Sequence, residues 1–350
     1  MSDKTLFFLC ENIFSKYDFD KSFEDTIQDD KNSVDFIRKC LNDDTYQEPK
    51  EGTSLYFVAQ TRARHSLITF LMGKVFAEFS NLYEKANQSV YSKIQNDLWL
   101  LTSLNHDRGY FSEYIKRENF DFEKTFKNYY LLKDSALLKN KDAIAAYTDE
   151  EIKNYARYKS EAYLKKNPNS EELVDHGILG ACITYKEILR KLCKTGDDDK
   201  NKLLVANCCL VIAQHNIFKS QDEETDRIYE MYGLSRLKSN SEFKISSKTS
   251  LLLLLCLVDT IECVKKFSKG ENEKSLETKT VLKSIEVTVE KNQIVVDFSK
   301  LYKRIKEKKN NTLLKKFDEY MNGVYNLHKW TIFYIEKQNE HIVKISISES

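Results

Sequence analysis

Few residues in this chain can interrupt a helix. Only 2 Pro and 9 Gly occur among its 350 residues, and these are the two residue types that most strongly disfavour a helix interior. Apolar residues also recur at steps of three and four over long stretches, which is typical of amphipathic helices. We therefore predict a mainly α fold.

The composition indicates a folded protein of the cytosol. Hydrophobic residues make up 41% of the chain, and 20 Tyr and 20 Phe supply bulky core side chains. The 8 Cys form no CxxC pair, which favours reduced, buried thiols over a disulfide framework or a zinc ribbon. The N-terminus has no long apolar run, and the longest such run, residues 251–258, is too short to span a bilayer. We expect a cytoplasmic protein with no membrane partner.

A His-Asp pair offers two metal ligands from one short piece of backbone. His106 and Asp107 follow the apolar run 98–104, and Gly109 breaks the pattern just after them. The pair should therefore lie at the end of a buried helix. A neutral imidazole and a carboxylate suit zinc, iron or manganese. Because His-Asp also occurs by chance, it indicates a metal site only if other ligands join it.

Further candidate ligands lie on or at the end of separate apolar helices. They are His65, His176, His215 and Asp259. With His106, the set uses four of the 6 histidines in the chain. Any single member could instead be a buried core histidine with its hydrogen bonds satisfied, or a helix cap. An ordered set of this kind rarely arises by chance. A carboxylate at the end of the run 251–258 would also be costly to bury without a partner.

The order His, His-Asp, His, His, Asp resembles the HD superfamily of metal-dependent phosphohydrolases over about residues 55–265. The resemblance implies an HD-type helical bundle and a first metal held by His65, His106, Asp107 and Asp259. His176 and His215 occupy the order of the extra ligands in binuclear members. Some of those members carry His-His where this chain has His215-Asn216, so one or two divalent metals (Mn, Fe, Zn, Ni or Co) remain open.

A second resemblance concerns phosphate binding. Residues 61–67 are similar to the Thr-Arg-x-x-His-Ser element of HD dNTP triphosphohydrolases, which places Arg62 on the helical face of His65. Its guanidinium could bind a phosphate held at the metal; the alternative is a solvated arginine on a helix surface. We predict Arg108 as a second phosphate-binding group and Tyr110 as a substrate-binding residue. Asp107 is predicted both to bind metal and to orient the attacking water.

Three regions are predicted along the chain. Residues 1–54 form a helical lead-in. Residues 55–270 form the phosphohydrolase domain, with a Tyr-rich helical insertion at 111–170 that could cover the site. Within this domain, residues 221–246 are polar and expected to be rich in loops. The pattern after residue 280 alternates like two hairpins around a helix, so residues 280–350 are predicted to form a small α+β region.

The expected function is cleavage of a phosphoester or phosphoanhydride bond of a nucleotide or cyclic nucleotide, a small-molecule substrate. One alternative is a nuclease acting on single-stranded DNA or RNA. It is favoured by the basic stretch 300–316, which otherwise forms a solvated helix face. Another alternative is a non-catalytic nucleotide sensor or scaffold with the same fold. The formal net charge of +1 favours the small substrate over a polymer, and the oligomeric state stays open.

Overall fold

The protein is mainly helical and carries one small antiparallel sheet near its C-terminus in this computed structural model. The structure describes residues 4–43, 46, 62–88, 98–111, 147–166, 175–192, 198–217, 222–238, 244–246, 249–268 and 275–347. Within these residues, no helix is both long and apolar enough to cross a membrane. The predicted mainly α class is confirmed.

Three helices begin the chain, and they pack around the next one. They are α1 (Leu6–Phe14), α2 (Phe23–Gln28) and α3 (Asp30–Leu41). The Ser22 side chain caps α2 by accepting from the Asp25 backbone N–H at 3.1 Å, and Asp29 caps α3 in the same way. The predicted end of this lead-in at residue 54 lies outside the described residues.

The described central part of the chain consists mainly of helices. The helices are α4 (Arg62–Val75), α5 (Leu82–Gln88), α6 (Leu98–Asn105), α7 (Asp149–Lys166), α8 (His176–Leu192), α9 (Asp198–Gln214), α10 (Glu223–Met231), α11 (Ser250–Ile261), α12 (Val264–Phe267) and α13 (Thr278–Lys283). Helix α4 contacts α1, α3, α6 and α11, and its residues 63–73 are all buried. Because α4 and α11 are enclosed on most sides, a polar group on either of them needs a partner inside the fold.

The structure bears on two predictions for this part of the chain. The prediction of loops for residues 221–246 is wrong in its first half, where α10 is a regular helix. Asp222 caps it by accepting from the Thr225 N–H at 2.8 Å, and most of its residues are exposed or half-buried. The predicted insertion at 111–170 is helical over α7, but residues 112–146 lie outside the described part, so a cover over the site stays a prediction.

The C-terminal region contains two hairpins separated by helices. Its elements are β1 (Glu286–Glu290), β2 (Gln293–Asp297), α14 (Ser299–Glu307), α15 (Asn311–Trp330), β3 (Phe333–Asn339) and β4 (Ile342–Ile347). All neighbouring strands are antiparallel, in the order β1-β2-β4-β3. The two predicted hairpins therefore form one sheet, and the single helical segment expected between them is two helices.

Hydrogen bonds fasten this region to the rest of the protein at several places. The backbone N–H of Leu6 donates to the Ile285 carbonyl at 2.8 Å, which ties the N-terminus to the edge of the sheet. The hydroxyl of Tyr320 donates to the Ile261 carbonyl at 2.6 Å, and α15 contacts both α11 and β3. Helix α15 thus lies directly against the helix that carries Asp259.

Candidate metal centre

The structure brings the six predicted ligands around one point, although they come from well-separated places in the chain. His65 lies near the start of α4, His106 and Asp107 follow α6, and His176 opens α8. His215 directly follows α9, and Asp259 lies in the last turn of α11. Five separate helices therefore bring their imidazoles and carboxylates to the same place.

Three of these residues form a first compact group. Nε2 of His65 lies 3.1 Å from Nε2 of His106 and 2.9 Å from Oδ1 of Asp259. The remaining distance in the group, from Nε2 of His106 to Oδ1 of Asp259, is 3.7 Å. All three atoms lie within 4.8 Å of one another, so a single cation could contact all of them.

A second group shares His106 with the first. His106, Asp107 and His215 also have donor atoms within 4.8 Å of one another. Oδ1 of Asp107 lies 3.8 Å from Nε2 of His215 and 3.2 Å from Nε2 of His176, whereas its Oδ2 lies 3.6 Å from Nε2 of His65. The carboxylate of Asp107 therefore extends between the two groups, with one oxygen toward each.

The rings of the three deeply buried histidines are held from behind. Nδ1 of His106 lies 2.6 Å from the Ser103 carbonyl, and Nδ1 of His215 lies 2.6 Å from the Ile212 carbonyl. Because a carbonyl oxygen only accepts, each Nδ1 carries the donated proton, and Nε2 is the nitrogen that faces the centre. Metal-binding histidines are oriented in the same way by a carbonyl or carboxylate behind the ring.

His65 is oriented by a carboxylate that the sequence prediction missed. Nδ1 of His65 contacts Oε2 of Glu262, a residue that is 1% exposed. The other oxygen of Glu262 accepts from the Val264 N–H at 2.6 Å. Glu262 lies three residues after Asp259 as the C-cap residue of α11, and this spacing is the signal that could have identified it.

A lysine also reaches the centre, and it too was missed. Nζ of Lys265 lies 2.5 Å from Oδ1 of Asp259 and 3.2 Å from Nε2 of His65. Its positive charge is therefore located against two of the predicted ligands. An ammonium against the Asp259 carboxylate shows that positive charge is stabilised at this point of the fold.

Glycines allow the helices to approach closely enough for this arrangement. A Cβ atom on Gly109 would lie 2.0 Å from the backbone oxygen of His176, and one on Gly177 would lie 2.8 Å from the backbone oxygen of Ile212. The side chain of Asp175 caps α8 by accepting from the Gly177 N–H at 3.0 Å. The start of α8 can therefore pack against both the His-Asp turn and the end of α9.

Arg62 and Tyr110 stand at the mouth of the centre, as their predicted roles require. Nη1 of Arg62 lies 3.1 Å from Oδ2 of Asp107, and its guanidinium carbon lies 4.1 Å from the centre of the Tyr110 ring. The Tyr110 ring in turn stacks on His176, with 3.9 Å between ring centres. The three side chains form a layer over the Asp107 carboxylate.

Arg108 takes a different place from the one predicted for it. Its Nη1 lies 3.1 Å from Oδ2 of Asp43 and 3.2 Å from Oδ1 of Asn105, and the side chain is 4% exposed. It does not line the pocket that opens at the centre. These contacts are those of a buried structural ion pair, because the guanidinium of Arg108 is already paired with the carboxylate of Asp43.

The charge states of the centre follow from these contacts. Burial would raise the pKa of Asp107, but the surrounding imidazoles and the Arg62 guanidinium hold it well below its usual range. Burial would raise the pKa of Asp259 as well, but the Lys265 ammonium together with the His106 and His65 imidazoles holds it well below its usual range. Burial lowers the pKa of His176. Ionised carboxylates and a neutral imidazole are the forms that bind metal ions.

A pocket of about 590 Å³ opens onto the centre. On one side it is lined by the side chains of Arg62, Asp107, His176, His215 and Asp259. The opposite side belongs to α15, which contributes Tyr320, Gly323, Asn326 and Trp330. The C-terminal region is therefore part of the site, which its predicted description as a separate small region did not anticipate.

The donor set fits a divalent transition metal. Imidazole nitrogens and carboxylate oxygens are the ligands that such ions take in proteins. In the three deeply buried histidines, Nδ1 contacts an oxygen atom of the fold and Nε2 is directed inward. The metal-binding atoms are therefore already oriented toward the centre. The spacing of the two groups allows either one or two ions, and it does not select the element.

Comparisons of the chain with protein-family models, with curated proteins and with solved structures find no match. The chemistry of the centre therefore has to be inferred from its own residues.

Proposed function

We propose that the protein is a metal-dependent phosphohydrolase of the HD type, which cleaves a phosphoester or phosphoanhydride bond of a nucleotide or cyclic nucleotide. The observation that carries the proposal is the buried cluster in which His65, His106 and Asp259 meet around one point. Their order in the chain is that of the HD superfamily, and the second group on Asp107 follows the order of binuclear members.

In the proposed site, His65, His106, Asp107 and Asp259 would hold the first ion, and His176 and His215 would complete a second. When bound, such ions lower the pKa of water and neutralise charge on phosphorus-bound oxygens. Asp107 lies between the groups, so its carboxylate is positioned to accept a hydrogen bond from a water molecule and to orient it toward phosphorus. The buried rings fix the ligands before substrate arrives.

The cations around the centre support a phosphate as the group that is attacked. Arg62 is held at the mouth by Asp107 and Tyr110, and its buried Nε atom has no hydrogen-bond partner among the described residues. A guanidinium in this position can donate to phosphate oxygens as the charge on them grows. Lys266 also lines the pocket and provides a second positive charge for the same ligand.

The size of the pocket supports a small substrate. Its volume of about 590 Å³ lies within the range of roughly 300–1,000 Å³ that small-molecule sites occupy. A mononucleotide fits such a volume with its phosphate at the centre. One or more phosphate groups would balance the positive charge of the metal centre and of the Arg62 guanidinium.

The test is hydrolysis by the purified protein after loading with Mn²⁺, Fe²⁺, Zn²⁺, Ni²⁺ or Co²⁺. The substrates are nucleoside mono-, di- and triphosphates, cyclic mono- and dinucleotides, and single-stranded DNA and RNA. We expect turnover of at least one small nucleotide, and its loss in Asp107→Asn. An exposed acidic residue on α10, Glu223, provides the matched control Glu223→Gln, which should leave turnover unchanged. Metal-loaded protein without activity on any of these substrates would contradict the proposal and favour the sensor alternative.

A nuclease of the same chemistry is a second candidate, favoured by the basic stretch. Its exposed cations are Lys300, Lys303, Arg304, Lys306, Lys308, Lys309, Lys315 and Lys316. Lys300 is paired with Glu286, and Lys315 lies 3.9 Å from Glu319, so part of this charge is already compensated. Degradation of polymer without turnover of any small nucleotide would reverse the order of the two candidates.

A further inference from the structure

One residue of α15 leaves a gap in the wall opposite the metal centre. Gly323 lines the pocket, and a Cβ atom built on it would meet no atom of the described residues within 4 Å. Glycine in the middle of a long helix costs roughly 0.5–1 kcal/mol of stability relative to alanine. Here neither a turn nor a close helix approach accounts for that cost, whereas Gly109 and Gly177 are both required by packing. Gly323 therefore leaves a gap in the pocket wall that helix packing does not require.

Two polar groups that line the pocket have no hydrogen-bond or salt-bridge partner among the residues that the structure describes. Asn326 is half-buried one turn after Gly323, and no hydrogen bond joins its amide to any residue that the structure describes. Lys266 has no carboxylate within salt-bridge distance in the described part of the chain, and its ammonium lies 5.4 Å from the centre of the Tyr320 ring. An amide and an ammonium facing a pocket without partners are suited to contacts with a ligand.

The gap is bordered by aromatic rings. Tyr320 lies one turn before Gly323 and lines the pocket; its hydroxyl donates to the Ile261 carbonyl and its ring packs against Phe267 and Phe298, so it forms a rigid, buried part of the wall. Trp330 lies one turn after Asn326 and also lines the pocket. A gap without a side chain, beside a carboxamide and in a wall that also contains buried aromatic side chains, suits a flat group whose edge carries a donor next to an acceptor.

We propose that this face of α15, formed by Tyr320, Gly323, Asn326 and Trp330, binds the base of a nucleotide whose phosphate lies at the metal centre. The proposal rests on the proposed function only for the phosphate end of the ligand. Asn326 would pair with the edge of the base, as asparagine does with the adjacent donor and acceptor of adenine. The residue at position 323 would set the size of the base that the pocket accepts, which makes it a specificity-determining position.

The experiment measures binding by tryptophan fluorescence, independently of hydrolysis. The chain has only 2 Trp, and Trp99 is fully buried, so a ligand on the proposed face should change the emission of Trp330. The probes are AMP, GMP, CMP and UMP, with ribose 5-phosphate as the matched ligand that lacks a base. Trp330→Phe identifies the source of the signal, and calorimetry measures binding in that variant.

We expect at least one nucleotide to bind about tenfold more tightly than ribose 5-phosphate. Gly323→Phe, which fills the gap, should abolish this difference while leaving ribose 5-phosphate binding unchanged. Asn322→Phe adds the same ring at the neighbouring exposed position of α15 and should retain the difference. Asn326→Leu, which keeps a similar volume without the amide, should reduce it and provides a second variant if Gly323→Phe is poorly folded.

Two results would overturn the inference. One is equal binding of all nucleotides and ribose 5-phosphate by the wild-type protein, and the other is an unchanged preference in both Gly323→Phe and Asn326→Leu. Failure of the proposed function alone would look different. The protein would still bind a nucleotide more tightly than ribose 5-phosphate, but the metal-loaded protein would hydrolyse no substrate.

Discussion

The guanidinium of Arg62 and the carboxylate of Asp107 lie 3.1 Å apart, although 45 positions separate the two residues in the chain. Asp107 is the carboxylate between the two groups of candidate ligands, so Arg62 is fixed at the point where a substrate phosphate would meet the metal. Burial disfavours the charge on Arg62, but the neighbouring Asp107 outweighs this effect and raises its pKa. The arginine therefore remains charged at any physiological pH.

Arg62→Ala should lower kcat/KM roughly a hundredfold, as the loss of one donor to a transition-state oxygen does, and it should leave metal content unchanged. The control is Arg64→Ala on the same helix. Arg64 faces away from the pocket, donates to Oγ1 of Thr278 at 2.9 Å and lies 3.1 Å from Asp30. Its replacement should lower the melting temperature without affecting kcat/KM. Equal activity of Arg62→Ala and wild type would remove Arg62 from the site.

Arg108 is predicted to act on stability. Because its ion pair with Asp43 is buried on both sides, with 4% and 3% of the two side chains exposed, removal of either partner should cost about 3 kcal/mol of unfolding free energy. The double variant Asp43→Ala/Arg108→Ala should cost less than the sum of the single variants. Denaturant titration measures all three. A normal unfolding midpoint with a raised KM in Arg108→Ala would instead support the phosphate-binding role expected from the sequence.

Two glycines should respond in opposite ways to the same substitution. Gly109→Ala would bring a methyl group to 2.0 Å from the His176 backbone oxygen, so α8 would have to move away from the His-Asp turn. The expected loss is about 3 kcal/mol or more, together with lower metal content. Gly323→Ala meets no described atom and should raise stability by up to about 1 kcal/mol. Similar melting temperatures for the two variants would contradict the described packing of α8.

Much of the centre could be predicted from the sequence because its ligands stand out against apolar surroundings. His65, His106 and Asp259 are polar residues within or beside helices that are almost entirely buried, and burial of such residues requires partners. The pattern also shows the hairpins of the C-terminal region. The helix α10 was missed for the converse reason, since its side chains are mostly polar and exposed and Tyr229 is its one buried residue.

The rest of the site depends on tertiary structure that periodicity does not encode. Lys265 lies beyond the end of α11 and reaches Asp259 only because the chain turns back into α12. Gly323 and Asn326 come from a helix more than sixty positions after Asp259, and only the packing of α15 on α11 brings them to the pocket. Arg108 was misplaced because adjacency to the His-Asp pair does not determine on which side of the backbone its side chain lies.

The ammonium of Lys265 competes with a metal ion for the same ligands. Since it lies 2.5 Å from Oδ1 of Asp259, Lys265→Met should bind Zn²⁺ about tenfold more tightly than wild type in a competition titration with a chromogenic chelator. Lys266→Met is the matched control, because that ammonium lies over the Tyr320 ring. It should leave the affinity unchanged. Weaker zinc binding by Lys265→Met would show that the lysine supports the ligands instead of opposing a cation.

The central claim is that the buried histidines and aspartates hold a metal ion, and elemental analysis of the purified protein tests it most directly. After expression with added Mn, Fe, Zn, Ni and Co, wild type should contain one or two divalent ions per chain. His106→Ala, which removes the residue shared by both groups of ligands, should contain none while keeping its helical circular dichroism. A wild-type protein without stoichiometric metal, or a His106→Ala variant with the wild-type amount, would contradict the account.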